Sequence, residues 1–222
     1  SYDLKAVSSW FLASTPQDYN TAQPLFPETR KDLGLTYGFN RAKLAWYYID
    51  DNFYRSPPSN INSDDRSQAY TRAISEKEFH PNKQMQQGQN PNVREFNIAF
   101  YPSERGPYNY DTTSAYSAGL MPDGSLRSPS TRWGGIMRKL ETTDFEAANI
   151  EYIEFWVMDP FIDNPQHSGG KLYFNLGEVS EDILRDGRKS FENGLPTTAE
   201  VADVDTTIWG RVPRLQSIVN AF

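Results

Sequence analysis

The sequence predicts a mainly β protein: two packed antiparallel sheets forming a jelly-roll-like two-layer sandwich, with a few short helices. Three observations carry this. The runs 93–101 (VREFNIAFY), 150–158 (IEYIEFWVM) and 171–176 (KLYFNL) are dense in aromatic and β-branched residues, which fit a pleated surface. Long connections rich in Gly, Pro, Asn and Asp separate them. Apolar residues make up only 37% of the chain while aromatics reach 14%, so the core must be concentrated in a few strands.

Taken in order, residues 1–38 read as an irregular arm. Prolines at 16, 24 and 27 oppose continuous regular structure, and Trp10, Phe11 and Leu12 are its anchors. Residues 39–196 read as the sandwich core. Its first strand lies in 39–55, with Leu44, Trp46 and Tyr48 on one face and Ala45, Tyr47 and Ile49 on the other. A helix over 40–48 is the less favoured alternative. Pro57–Pro58 marks a loop. Ser63 is placed to cap a short helix over 63–74, with Asp64 and Asp65 in its first turn. That aspartate pair reads as a solvated helix start rather than a metal site. Residues 80–92 are a polar loop, and 93–101 a strand.

The connection 102–131 holds Tyr108, Tyr110 and a hairpin-turn signal at Asp123–Gly124. RWGGIMRKL, from Arg132, is a further strand candidate whose paired glycines imply a bulge or a close approach by another backbone. The densest stretch is 150–158. Ile153, Phe155 and Val157 alternate with Ile150, Tyr152, Trp156 and Met158, so a central strand covered on both faces is expected, with Trp156 in the core. Asp159–Pro160 ends it, and 171–176 returns antiparallel. Ser180 is expected to cap a helical turn through Leu184. Residues 197–222 form a C-terminal extension in which Trp209 and Val212 are expected to be buried and 214–220 to start a helix.

The 222 residues suit one domain, read as a soluble piece excised from a larger protein. No signal peptide or initiator Met is visible. Mean hydropathy is −0.70, and no apolar run is long enough to span a membrane as a helix. The net charge of −7 and pI near 4.9 oppose nucleic-acid binding, which normally uses a basic patch. Without cysteine there are no disulfides, thiolate zinc sites or thiol catalysis.

Chemistry is sparse. His80 and His167 are isolated, and no GxSxG, HExxH, GxGxxG or P-loop pattern occurs. Glu151 and Glu154, three residues apart, would face opposite sides of a strand, which argues against a glycosidase pair. No cofactor is expected. Asp159, Asp163, Glu178 and Asp182 are candidate calcium ligands, though without EF-hand spacing. The residue reading therefore expects no enzymatic activity.

Several longer runs carry a family resemblance: NRAKLAW at 40–46, YPSERGPYNYD at 101–111, RWGGIMR at 132–138, TDFEAANIEYIEFWVMDPF at 143–161, NLGEVSEDILRDGRKSFENGLP at 175–196 and WGRVP at 209–213. Through them the chain resembles the SprA (Sov) family of gliding-motility and type IX secretion proteins over most of its length from about residue 40. The resemblance implies a segment of a very large outer-membrane translocon, lying in the periplasm or at the cell surface. Its partners would be other parts of that translocon and secreted or secretion-system proteins. No catalytic residues come with the resemblance. The sequence lacks serial lipid-facing strands, so an insertion is expected rather than barrel wall. Tyr108, Tyr110, Trp133 and Arg138 are the candidate partner-facing residues, being aromatic or Arg. For Trp133, burial beside Gly134 and Gly135 is the stronger alternative. The strand order and the EFW…LYFNLG pattern over 154–177 are also similar to carbohydrate-binding jelly-roll modules, so the competing reading is a cell-surface glycan-binding sandwich.

Overall fold

Regular structure in this protein is short and mostly β. The computed structural model describes residues 3–16, 25–30, 34–112, 115–142, 144–180, 183, 204–207 and 210–213. Strand β1 (Phe11–Leu12) pairs antiparallel with β4 (Ile136–Met137), setting Phe11 opposite Met137. Strand β2 (Ala42–Tyr47) pairs with β3 (Asn97–Arg105). Strands β5 (Val204–Thr207) and β6 (Gly210–Pro213) form an antiparallel pair, with Asp205 opposite Val212. Two one-turn helices, α1 (Asn52–Arg55) and α2 (Glu76–Phe79), and a few 3-10 turns complete the described elements. The protein is mainly β.

The chain divides into two compact units. The first comprises Ser1–Ser9, Trp46–Ile98 and Lys139–Asn175; the second Trp10–Ala45, Ala99–Arg138 and Leu176–Phe222. They differ in burial. The core consists of Tyr37, Phe39, Ala42, Leu126 and Ile183, with buried polar residues around them, and all of these belong to the second unit. Among the described residues the first unit has no fully buried side chain.

In the second unit the run from Arg132 to Met137 is flanked on both sides. The Trp133 N–H donates to the Asn40 carbonyl at 3.1 Å, and the Ala42 N–H to the Trp133 carbonyl at 2.8 Å. On its other side the Ala13 N–H donates to the Gly135 carbonyl at 3.0 Å. The close approach expected at the glycines is made by side chains. A Cβ on Gly134 would sit 2.9 Å from Leu44 Cδ1 and 3.0 Å from the Phe100 ring. The Asp123–Gly124 turn forms as expected: Gly124 has φ +86°, and Leu120 and Leu126 bridge antiparallel across it.

Several elements depart from the sequence reading. Residues 63–72 are successive turns rather than a helix. Asn62 Oδ1 accepts the N–H groups of both Asp64 (2.7 Å) and Asp65 (3.0 Å), so a side-chain turn replaces the helical start. The helix forms later, at α2, under a capping box. Ser75 Oγ accepts the Lys77 N–H at 3.3 Å, and the Glu78 carboxylate accepts the Ser75 N–H at 3.0 Å. Strand β3 begins four residues later than expected, because the Val93 N–H is taken by the Ile74 carbonyl. The largest correction concerns 150–158 and 171–176, which form no ladder; Trp156 is 75% exposed, not core. Apolar composition makes a strand possible, but only a neighbouring backbone makes one. The turn expected after Ser180 falls on Glu181, Asp182 and Leu184, which lie outside the described residues, as do Trp209 and 214–220. Val212 falls in β6.

Candidate interaction surface

The second unit buries charge. Arg132 follows a 3-10 turn, Pro129–Thr131, that delivers its side chain inward. Its Nη1 donates to Asp111 Oδ2 at 2.6 Å and to the Phe39 carbonyl at 2.7 Å, Nη2 to the Gly119 carbonyl at 3.0 Å, and Nε to the Arg127 carbonyl at 2.9 Å. Both side chains of this ion pair are fully buried. The Ser117 hydroxyl donates to the other Asp111 oxygen, and the Asp111 N–H donates to Asn109 Oδ1 at 2.8 Å. The Asn109 amide in turn donates to the carbonyls of Phe39 and Arg41. Guanidinium donors aimed at the carbonyls of Phe39, Gly119 and Arg127 and at the Asp111 carboxylate hold those stretches together. The arrangement is a structural clamp, since each partner is already committed.

Beside it, Arg41 Nη1 donates to the Ala13 carbonyl at 2.6 Å, and its guanidinium lies 4.7 Å from the centre of the Trp133 ring. Phe26 meets Trp133 edge-on at 5.3 Å. Glu28 is 1% exposed, and burial raises its pKa against the opposing influence of its own backbone, Asn40, Trp133 and the charge of Arg132. Neither carboxylate oxygen reaches hydrogen-bond geometry; the Asn40 amide is committed to the Tyr116 carbonyl at 2.8 Å.

The four residues singled out as partner-facing all lie in this unit and are all half-buried. Trp133 packs between Arg41 and Phe26, with its ring 3.4 Å from where a Gly135 Cβ would stand. Arg138 lies 5.8 Å from the Trp10 ring centre. Tyr108 holds a left-handed backbone at φ +62°, and its carbonyl leaves no room for a Cβ at Gly38. Tyr110 is half-buried near the clamp residue Asp111 in sequence.

Exposure of apolar surface is concentrated in the first unit. Tyr152 is 80% exposed, and Ile153, Phe155, Trp156, Val157 and Met158 are exposed with it. Leu172, Tyr173 and Phe174 are exposed as well. From Glu151 to Pro160 no backbone group bonds to another backbone group among the described residues, and the same holds from Lys171 to Val179. The two runs meet where the Phe155 and Phe174 rings approach at 5.2 Å, and Trp156 touches Phe79 at 5.3 Å. The loop between them is held locally: Phe161 stacks on His167 at 4.2 Å, and His167 Nδ1 accepts the Gly169 N–H at 2.9 Å. Acidic residues accompany the apolar ones, with Glu151, Glu154, Asp159 and Asp163 against Lys171. Sequence reasoning picked out this stretch but assigned it to the core; its acidic content was the signal for exposure.

The same unit holds a cavity of about 60 Å³ lined by Ile49, Asp51, Tyr54, Asn90, Arg94 and Glu95 among others. Burial, then the Glu95 carboxylate, pushes the Tyr54 hydroxyl up to about 12, and that hydroxyl donates to the Thr71 carbonyl at 2.8 Å. A phenol so far from titrating near neutral pH is no general base there. Of the candidate calcium ligands, Asp159 accepts the Phe161 N–H at 2.9 Å, Asp163 and Glu178 are exposed, and Asp182 lies outside the described residues. Among the described residues, no group of three or more His, Cys, Asp or Glu side chains is placed to hold a metal ion. No described helix is long and apolar enough to cross a membrane.

These features define a mainly β chain with one polar-clamped unit and one unit that displays apolar surface. No protein-family model matches the chain, and no curated protein matches it at a significant level.

Proposed function

We propose that this chain works by contact rather than by chemistry, as a non-enzymatic segment of an outer-membrane channel for type IX protein secretion and gliding, lying in the periplasm or at the cell surface. The motif runs quoted above supply the channel assignment. The observation that carries the contact role is the exposed aromatic run Tyr152–Met158, because large contiguous apolar surface usually marks a binding site. Its partners are other parts of the parent translocon and secreted or secretion-system proteins. The finer architecture belongs to the same proposal: the alternation in 93–101, carried into the β2–β3 pair, supports a two-layer jelly-roll sandwich. No cofactor is required by this role, and calcium at Asp159, Asp163 and Glu178 would be accessory.

Excising residues 40–196 from the full-length parent, with a short flexible linker in place, tests the role. Secretion of cargo and gliding should fall while the parent still reaches the outer membrane. Normal secretion without the segment would overturn the proposal.

A second reading, glycan binding, draws on the same exposure, since Trp156 and Tyr152 are exposed aromatics. It is weaker because the backbone bearing these rings has no backbone partner among the described residues, whereas a stacking platform needs a rigid sheet behind it. Glycan binding lost in Trp156→Ala with an unchanged melting temperature would establish it.

A further inference from the structure

We infer that residues 151–158 are a docking strand for an extended, lysine- or arginine-bearing strand of a separate polypeptide, captured through main-chain pairing. The inference rests on the contact role proposed above and specifies how the contact is made.

The run has the composition of a buried strand but none of a strand's bonds. Its backbone N–H and C=O groups have no backbone partner among the described residues, and both alternating side-chain sets are exposed: Ile153, Phe155 and Val157, and Tyr152, Trp156 and Met158. Unpaired edges of this composition invite strand addition, and proteins usually blunt them with lysine, proline or a covering segment. Here the sequence from Tyr152 to Met158 contains no lysine or proline, and the sole charge is Glu154. Strand addition draws affinity from the main chain and specificity from alternate side chains.

Charge selects the occupant. The neighbouring Glu151, Glu154, Asp159 and Asp163 favour cationic side chains on the incoming strand. The chain's net charge of −7 disfavours a second copy and an anionic membrane surface. A glycan would use the rings but leave the unpaired amides unsatisfied, whereas a polypeptide strand engages both.

The test uses the 222-residue chain and synthetic peptides of about eight residues, a typical strand length. One peptide alternates Val and Lys, a second alternates Val and Glu, and a third is the Val–Lys peptide N-methylated at alternate amides. Hydrogen exchange localised to 151–158 is the readout. The Val–Lys peptide should slow exchange there, with an affinity that falls as salt rises. The Val–Glu and N-methylated peptides should bind at least about tenfold more weakly, a difference of roughly 1.4 kcal/mol. Trp156→Pro and Val157→Pro remove successive amide donors that point to opposite sides. Both variants should keep the wild-type melting temperature, and at least one should lose the protection. Four results would overturn the inference: no protection by the Val–Lys peptide, equal binding of the N-methylated peptide, full protection before any peptide is added, or unchanged protection in both proline variants. Loss of secretion on excision combined with any of these would keep the contact role and remove strand addition.

Discussion

At the scale of residues, the Arg132–Asp111 pair is the most sensitive point in the molecule. Both side chains are fully buried, so removing one leaves an uncompensated charge. Asp111→Ala should cost about 3–5 kcal/mol in urea or thermal unfolding, the usual result of breaking a buried pair. Arg132→Lys should also destabilise, since an ammonium cannot reach the Asp111 carboxylate and the carbonyls of Phe39, Gly119 and Arg127 together. Glu28 behaves differently. Its pKa is raised by burial, so the folded state holds the proton more tightly than the unfolded chain. Its contribution is therefore full below the ordinary carboxylate pKa and is lost as pH climbs through the folded value. Glu28→Gln should melt at or above the wild type at neutral pH, and the difference should shrink on acidification towards pH 4.5, the ordinary value. A lower melting temperature for the Gln variant at pH 7 would mean the charged carboxylate is stabilising. Trp156→Ala should change stability by no more than about 0.5 kcal/mol, as exposed positions do, instead of the several kcal/mol of a core tryptophan.

At the scale of elements, α2 depends on its cap. A one-turn helix has too few internal bonds to stand alone. Ser75→Ala should lose about 1 kcal/mol, and amide exchange at 76–79 should report it. Glu78 is both the return arm of the capping box and the partner of Arg72 at 2.8 Å, and it titrates at about 2, held down first by Arg72 and then by the Ser75 N–H. A depressed carboxylate stabilises above its ordinary pKa and loses that contribution as pH falls through the folded value. Protection of α2 should therefore fade between pH 4.5 and about 2. The strands β1 and β4 are two residues each, so their persistence rests on the flanking bonds at Ala13 and Trp133 rather than on ladder length. Gly134 belongs to the same junction: Gly134→Ala would force a methyl against Leu44 and Phe100.

For the whole molecule, stability and display are divided between the two units. The second carries the buried core and the clamp; the first carries exposed aromatics and acidic residues. Its contacts include the exposed pair of Arg94 over Tyr48 at 4.8 Å and the part-buried Tyr54–Thr71 hydrogen bond. The contact role proposed above predicts hydrolysis of neither polysaccharides nor esters. Turnover in such a screen, abolished by one Asp or Glu substitution, would overturn that expectation.

The sequence by itself determined the mainly β class, the Asp123–Gly124 turn and the strand at β2, although the strand expected over 39–55 ends at Tyr47 and 52–55 is the helix α1. The turn follows from local chemistry and the strand from local alternation, although β2 still needed β3 to pair with. The capping box of α2 was equally legible in Ser75–Glu78 but lay just beyond the stretch read as helix. Only the tertiary structure decided that Arg132, rather than Trp156, sits in a core, and that Asp111 lies beside it. Composition reports which side chains suit a ladder; whether the ladder forms depends on a backbone supplied from elsewhere. For Arg132 that surrounding backbone is present, from Phe39 to Arg127, and burial follows. For 151–158 it is absent among the described residues, so a strand-like sequence stays on the surface.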